Sequence, residues 1–485
     1  MKKLIFSSLI VILMVSSCKM GPSIQNIKTA EHKNYLGTDS TFTVVTDTTE
    51  AADSLLALRW WEMFNDTILD TLIYTALENN KDVKIAAAKV LESRAALGFT
   101  RADIYPKISY QAQIGRANSI GALQFPAPQN NFYGGASLSW EIDFWGKYRR
   151  ANEAAKADFF ATEFAQRSVQ IEMITQVAQT YFKLLDFKLR LEISENTVAL
   201  RDSSLTIIQA KFDHGTVAEI DLNQAQVQKA IAEAAVPLYQ RNVIKTEYAL
   251  SILLGESPHD IMVGKSLLEQ DTLVEIPLGL PSKILTQRPD ILLAEQQLYS
   301  QNAKIGIAVA ERFPSISLTG MFGGATNDLS SFNTISAAWS LGGDLLGPLF
   351  YFNKRKRKVE IERARTEQVL YAYEKSVIAA FQEVESSLTD ITTLRDELGA
   401  RERHVKAALN AQMLSQKRYD GGVTSYLELL EMQRQAFEAE LGHSKTLQEL
   451  LSAYVQLYKS LGGGWLTPEE EQTAKDAAAA KKNKK

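Results

Sequence analysis

From Asn353 to Gly422 the chain holds no proline, and apolar residues return at alternating steps of four and three, as in Val377, Phe381, Val384, Leu388 and Ile391. That spacing keeps one stripe against a neighbouring helix along its length. Residues 353–420 therefore predict a single helix, which at roughly 1.5 Å per residue reaches on the order of 100 Å. A second helical period, carrying Ile171, Ile174, Ala178, Tyr181 and Leu185, runs over about 146–212. Each ends at a glycine-bearing tip, Asp213-His214-Gly215 or Asp420-Gly421-Gly422, and a return helix follows at about 220–254 and 424–461. Nearer the N-terminus Trp60, Trp61, Phe64, Leu69, Ile73 and Leu77 open a shorter amphipathic helix. Asn79-Asn80 breaks it, and an alanine-rich helix from Ile85 to Ala102 leads to Tyr105-Pro106.

Ahead of each long helix the period drops to two. Ile108, Tyr110, Ala112 and Ile114 alternate with Ser109, Gln111 and Gln113; Phe132, Ala136, Leu138, Trp140 and Ile142 alternate with Ser137, Ser139, Glu141 and Asp143. The later pair follows suit, with Ile316, Leu318, Gly320 and Phe322, then Ile335, Ala337, Trp339 and Leu341, on the apolar side. The pattern predicts strands at about 106–116, 131–143, 314–324 and 332–343, the first two joined by a polar loop over about 117–130 that contains proline. Each run is long enough to cross a bilayer as a tilted strand, and a face alternately polar and apolar suits a barrel wall.

The two halves are copies. Asn80-Lys81-Asp82-Val83 matches Arg288-Pro289-Asp290-Ile291, and Tyr105-Pro106 with Ile108-Ser109 matches Phe313-Pro314 with Ile316-Ser317, each 208 positions apart. Lys211-Phe212-Asp213-His214-Gly215 matches Arg418-Tyr419-Asp420-Gly421-Gly422, and Leu254-Gly255 matches Leu461-Gly462, each 207 apart. Between these blocks Trp140 meets Trp339 at 199. Length changes thus fall in the hairpins while helix registers persist, as duplicated units require. The repeats are 58–257 and 258–465, and the tail 466–485 is expected to be disordered or a fraying helix.

Four membrane strands from one chain form neither a closed barrel nor a stable open sheet, because each unpaired edge group in hydrocarbon costs several kcal/mol. Other copies of the chain must complete the barrel. The long helices leave it on one side and are expected to continue it as a helical tube. This reasoning requires an oligomer and leaves its number open.

Composition narrows the class. With 23% charged and 45% hydrophobic residues the 485-residue chain is globular in character, and a net charge of −4 gives no attraction to nucleic acid. Five scattered histidines and one cysteine offer no metal-ligand cluster, and no catalytic signature appears. The cysteine is informative by position. Met1-Lys2-Lys3, an apolar run from Leu4 to Val15 and Ser16-Ser17 precede Cys18, so residues 1–17 resemble a bacterial lipoprotein signal peptide, cleaved before Cys18 with acylation of its thiol and new amino group. Val15 departs from the usual leucine there. Lys19 stands where an aspartate favours inner-membrane retention, so the outer membrane is expected, with 18–57 as a lipid-anchored extended leader rich in Thr, Ser and Asp.

Trp60-Trp61, Asn80-Lys81-Asp82, Gln287 to Ile291 with Ala294-Glu295, Ala310 to Gly320, Arg418-Tyr419-Asp420 with Gly422, and Leu461 to Trp465 together resemble the TolC-like outer-membrane efflux proteins. Within that family the chain is similar to the lipoprotein channels of RND-type multidrug efflux systems, the NodT-type group, from Cys18 to Trp465. The resemblance implies a mixed α and β membrane protein working as a homotrimer. Each chain would give four strands to a shared 12-stranded outer-membrane β-barrel and its long helices to a periplasmic α-barrel of 12 helices. The implied partners are a periplasmic adaptor (membrane-fusion) protein, an inner-membrane proton-driven RND pump and outer-membrane lipid of a Gram-negative bacterium. No cofactor, metal or enzymatic chemistry is implied; the channel conducts what the pump expels.

The resemblance also places the two tips at the periplasmic mouth, as gate and adaptor dock. Here they comprise Phe212, Asp213, His214, Gly215 and Asp221, and Tyr419, Asp420, Gly422 and Thr424. A ring of carboxylates from several chains in a constriction would disfavour anions and respond to pH or divalent cations. Thr424 departs from the family, where many relatives carry an aspartate, so an acidic ring here falls to Asp420, or the gate relies on hydrogen bonds and Tyr419. Helix termination with solvated charge is an equal reading of Asp213 and Asp420. Gly215 and Gly422 serve chain reversal, and His214 reads as an exposed surface histidine. The basic run Lys354 to Lys358 sits where strand becomes helix and reads as an interfacial belt in contact with lipid rather than nucleic acid; the methionines read as packing. Two rival functions remain at this point: the outer-membrane component of a type I protein secretion system, and a pore-less periplasmic coiled-coil scaffold, which would not need strands with one polar and one apolar face.

Overall fold

The computed structural model of the chain describes residues 20–21, 60–120, 123–270, 288–328 and 335–463. The signal segment 1–17, Cys18, nearly all of the leader 18–57 and the tail 466–485 lie outside the described residues. A short 3₁₀ turn, Trp60–Phe64, precedes α1 (Thr67–Asn79), α2 (Lys81–Ala102), β1 (Lys107–Ile120), β2 (Leu123–Ile142), α3 (Lys147–Asp213) and α4 (Glu219–Leu253). Then α5 (Pro289–Ala310), β3 (Ser315–Thr326), β4 (Ser336–Leu346), α6 (Lys354–Asp420) and α7 (Tyr426–Ser460) repeat the succession. Corresponding helices agree to the residue: 22 in α2 and α5, 67 in α3 and α6, 35 in α4 and α7. Two compact units result. One comprises Met1–Lys33, Ala88–Phe164 and Leu292–Lys375, the other Asn34–Ala87, Ala165–Ile291 and Ser376–Lys485.

The first unit holds the sheet, in the order β1-β2-β3-β4 with every neighbouring pair antiparallel. The ladder runs further than the polar pattern predicts. Residues 117–120 and 123–130, expected as loop, lie within β1 and β2, with Ala117 opposite Gln129 and Ser119 opposite Gln124. The register slips between Ala117 and Ser119, and the pairing passes over the stretch that holds Pro126 and Pro128, which have no amide proton to give. Polar composition there removed the alternation without removing the backbone's ability to pair. Indole groups tie the strand ends to adjoining turns: Trp140 Nε1 donates to the Ile104 carbonyl at 3.0 Å, and Trp145 Nε1 to that of Pro314 at 2.7 Å, with the Trp145 ring stacked on Phe313.

The second unit closes around aromatic residues. Trp60, Trp61, Phe64, Tyr181, Phe182 and Tyr454 are buried; Trp60 stacks on Tyr458 at 5.5 Å and Phe64 meets Phe182 edge-on at 4.9 Å. The duplication reaches individual hydrogen bonds. Asn80 Nδ2 donates to the Leu253 carbonyl at the end of α4, 2.8 Å away, and Arg288 Nη1 donates to the Ser460 carbonyl at the end of α7, 2.7 Å away. Different side chains at equivalent positions thus satisfy the carbonyls that a helix C-terminus leaves orphaned. Arg288 also pairs with Asp290 and Glu383, both at 2.7 Å.

Asp66 gathers the start of this unit. Its buried carboxylate caps α1 through the amides of Ile68 and Leu69 and accepts Tyr181 Oη at 2.7 Å and Gln270 Nε2 at 2.9 Å. The Gly264 amide donates in turn to Tyr181 Oη. Burial alone pushes the Asp66 carboxyl up, but the hydrogen bonds from Tyr181, Gln270 and the two amides outweigh it and hold the group below the usual carboxylate range. A carboxyl depressed on folding stabilises the fold fully above its unfolded value, and that contribution is lost as pH falls through the folded value. Asp66→Ala removes the cap and two buried acceptor bonds, a predicted loss of about 2–4 kcal/mol. Thermal unfolding in detergent should show a lower midpoint for the variant at neutral pH, with the gap from the parent narrowing toward pH 3.

Candidate functional site

Two surfaces carry functional geometry, one in each unit. In the sheet, the register aligns side chains into cross-strand rows. Ile108, Leu138, Gly320 and Leu341 form one row; Tyr110, Ala136, Phe322 and Trp339 the next; Ile142, Ile316 and Leu345 another, all on one face. The opposite face carries Ser109, Ser137, Met321 and Ser340, then Glu141, Ser317 and Asp344, and Ser109 and Ser137 meet hydroxyl to hydroxyl at 2.8 Å. The apolar face is uncovered: Ile108, Tyr110, Ile114, Phe322, Trp339, Leu341 and Leu345 are all exposed. Contiguous apolar surface on this scale marks contact with lipid or another protein. Among the described residues no helix is long and apolar enough to cross a membrane, and no cluster of His, Cys, Asp and Glu could hold a metal ion.

The turn into α6 continues this surface. Leu349, Phe350, Tyr351 and Phe352 are exposed, and Phe352 and Asn353 adopt left-handed backbone immediately before the helix. In the basic run, Arg355 and Lys358 both pair with Glu311, and Arg357 pairs with Glu360, while Lys354 and Lys356 are exposed. The aromatic turn and the basic helix start are adjacent.

The tips lie in the second unit, each built by the same device. Gly215 N donates to the Phe212 carbonyl at 2.8 Å and Thr216 N to that of Lys211 at 2.9 Å; Gly422 N donates to Tyr419 and Val423 N to Arg418, at 3.0 and 2.9 Å. These crossed bonds end α3 and α6 with a left-handed glycine, at φ 69° and 70°. Asp213 and Asp420, the last helical residues, are exposed, and each accepts a hydrogen bond at 2.9 Å from the glutamine four residues earlier, Gln209 or Gln416. A carboxylate at a helix C-terminus opposes the macrodipole by up to about 1 kcal/mol. His214 is exposed; Asp221 is half-buried in the first turn of α4.

Beneath the tips Ile208, Leu222, Ala225, Tyr426, Leu429 and Leu430 form a buried cluster, with Phe212, Val217 and Tyr419 packed against it. Lys211 joins the two hairpins: its ammonium lies over the Tyr419 ring at 4.4 Å and donates to Tyr419 Oη at 3.2 Å. Burial, with Tyr419 and Asp221 adding to it, pushes the Tyr426 phenol up to about 12. Deeper still, Arg201 is buried, donates to the Gln228 carbonyl and sits over Phe437 at 5.4 Å.

The second tip holds an acid that sequence reasoning missed. Thr424 Oγ1 donates to Glu428 Oε2, and Arg418 pairs with Glu428 Oε1 at 3.1 Å. Thr424 is thus the partner of a carboxylate four residues on. The signal was the Ser425-x-x-Glu428 spacing of a capping box, in which Ser425 caps α7; Glu428 turns instead to Arg418.

Comparison with known proteins agrees with this geometry. The family profile described as outer membrane efflux protein matches residues 72–256 and again 280–463. The chain belongs to this family. The solvent efflux pump outer membrane protein SrpC of Pseudomonas putida is 36% identical over 408 residues, 83% of this chain and 87% of SrpC. The cation efflux system protein CusC of Escherichia coli K12 is 32% identical over 424 residues, 85% of this chain and 90% of CusC. The crystal structure of the Campylobacter jejuni CmeC outer membrane channel superposes with a TM-score of 0.80 at 25% identity, over 95% of this chain and 98% of CmeC. Outer membrane efflux proteins are a transport family and not an enzyme family, and the double match is the internal repeat.

Gly422 isolates the backbone requirement of the tip, since a Cβ there would meet no atom within 4 Å yet the residue is left-handed. Gly422→Ala should cost about 1–2 kcal/mol through the backbone alone. Amide hydrogen exchange at Gly422 and Val423 should accelerate roughly ten-fold, with the Gly462 turn unchanged.

Proposed function

We propose that the protein is the outer-membrane channel of a tripartite RND-type efflux system, a homotrimer in which three four-stranded sheets close a 12-stranded barrel and the long helices form a periplasmic tunnel. The observation that carries this reading is the sheet: one face polar, one apolar and uncovered, and, among the described residues, an unpaired edge on both β1 and β4. In hydrocarbon those edges need partners, and copies of the same chain supply them at the lowest cost in new structure. Cys18 anchors the chain through acylation, and an adaptor and an inner-membrane pump engage the periplasmic side.

The tips act as gate and docking end. Lys211 on Tyr419 and Glu428 between Arg418 and Thr424 hold the second hairpin down, while exposed Asp213 and Asp420 give each chain two carboxylates at the mouth. The acid missing at Thr424 is replaced by Glu428, engaged in an ion pair rather than free in a ring. Cargo selection belongs to the pump. SrpC is named for solvents and CusC for cations, opposite chemistries, yet this chain resembles both nearly equally.

Reconstitution of the purified protein into planar bilayers tests the channel. The parent should give small, infrequent ion conductance, and Glu428→Gln or the pair Tyr419→Ala with Asp420→Ala should raise it several-fold; silence of all three proteins would reject the pore. Palmitate labelling and intact mass should show acyl chains on the parent and none on Cys18→Ser.

A further inference from the structure

Just two residues after Cys18, the chain is held by a built site in the first unit. Arg150, in the first turn of α3, is 4% exposed. Its Nε donates to the Met20 carbonyl at 2.9 Å, its Nη2 to the Gly21 carbonyl at 3.1 Å, and its Nη1 to Glu153 Oε2 at 3.0 Å. The fork of one guanidinium therefore spans two consecutive backbone carbonyls, a geometry that an ammonium does not reproduce. A buried guanidinium is costly unless its donors are engaged, so release of the peptide would leave two of them without these acceptors.

Two glycines make the fit possible. Gly21 has φ +97°, and a Cβ on it would stand 2.6 Å from Gly306 Cα, backbone that has nowhere to go. Gly306, within α5, lacks the Cβ that would stand 2.8 Å from Arg150 Nε and 2.9 Å from its Cγ and Cδ. Three residues far apart in sequence are thus shaped to one another: Gly306 makes room for the Arg150 side chain, and Gly21 brings the N-terminal peptide flat against Gly306.

We propose that Arg150, Gly21 and Gly306 form a clamp that fixes where the acyl chains of Cys18 leave the folded body. Cys18 precedes Met20 by two residues, a span of at most about 7 Å of chain. Arg150 follows the last residue of β2, Ile142, by eight positions, and its amide bonds to the Gly146 carbonyl at 2.9 Å. The acyl chains are thereby delivered beside the end of the sheet where the Ile142–Ile316–Leu345 row borders the helices. The anchor then sets the depth of the barrel as well as tethering it. This rests on the lipidation of Cys18 given above.

The test uses the full-length detergent-purified protein and limited trypsin, with cleavage after Lys19 identified by mass. In the parent the clamped bond should resist. Gly21→Ala alters only the peptide, so the body should keep its helix content and melting point while Lys19 cleavage rises at least ten-fold; Arg150→Ala should match it, and Arg150→Lys should fall between. Parental cleavage rates in folded Gly21→Ala overturn the clamp, and this variant decides the matter even where Arg150→Ala does not fold. The clamp and the anchor are separable: a parent mass without acyl chains overturns delivery of the anchor, whereas comparing Cys18→Ser with Cys18→Ser plus Gly21→Ala still reads the clamp.

Discussion

A sheet of four strands has two edges, and what those edges need constrains the first unit. β1 and β4 each present backbone donors and acceptors for which the sheet supplies no strand. In water such edges are tolerable, but beside hydrocarbon each unpaired group costs several kcal/mol. The row of Tyr110, Phe322 and Trp339 is uncovered, a surface fit for lipid or another protein. An exposed apolar face and an unpaired edge are each a liability alone. Together they are what a shared barrel, as proposed above, would resolve.

Duplication is the economy that makes the helical part work. Equal helices in each repeat, 67 and 35 residues, let one capping scheme serve both copies. The scheme is conserved in role while the chemistry drifts: an amide at Asn80 and a guanidinium at Arg288 satisfy equivalent carbonyls. The tips diverge further. The first ends in Asp213 beside an exposed His214, whereas the second couples Arg418, Thr424 and Glu428, so the two hairpins present different charge to whatever meets them. Lys211 on Tyr419 links the two hairpins at the tips, and a cation on an aromatic face is worth about 0.5–2 kcal/mol.

Matched residues at fixed offsets gave the repeat. Periodicity determined the long helices and the four strands, because each period is a local property of backbone geometry: 3.6 residues for a helix facing a neighbour, two for a pleated wall. The left-handed turns at Gly215 and Gly422 were legible for the same reason. Strand length was not. Polar residues and prolines break the alternation over 117–130, yet Ala117, Ser119, Ile120, Leu123, Gln124, Gln129 and Asn130 still pair, since a ladder is closed by backbone groups that side-chain pattern does not report. Nor was the partner of Thr424 legible. A tip residue four positions from a glutamate has many rotamers in sequence, and only the packed hairpin selects the one that brings Glu428 between Thr424 and Arg418. Arg150 makes the same point over a longer span: its two acceptors lie about 130 residues away, and no local pattern joins them until α3 and α5 are in place.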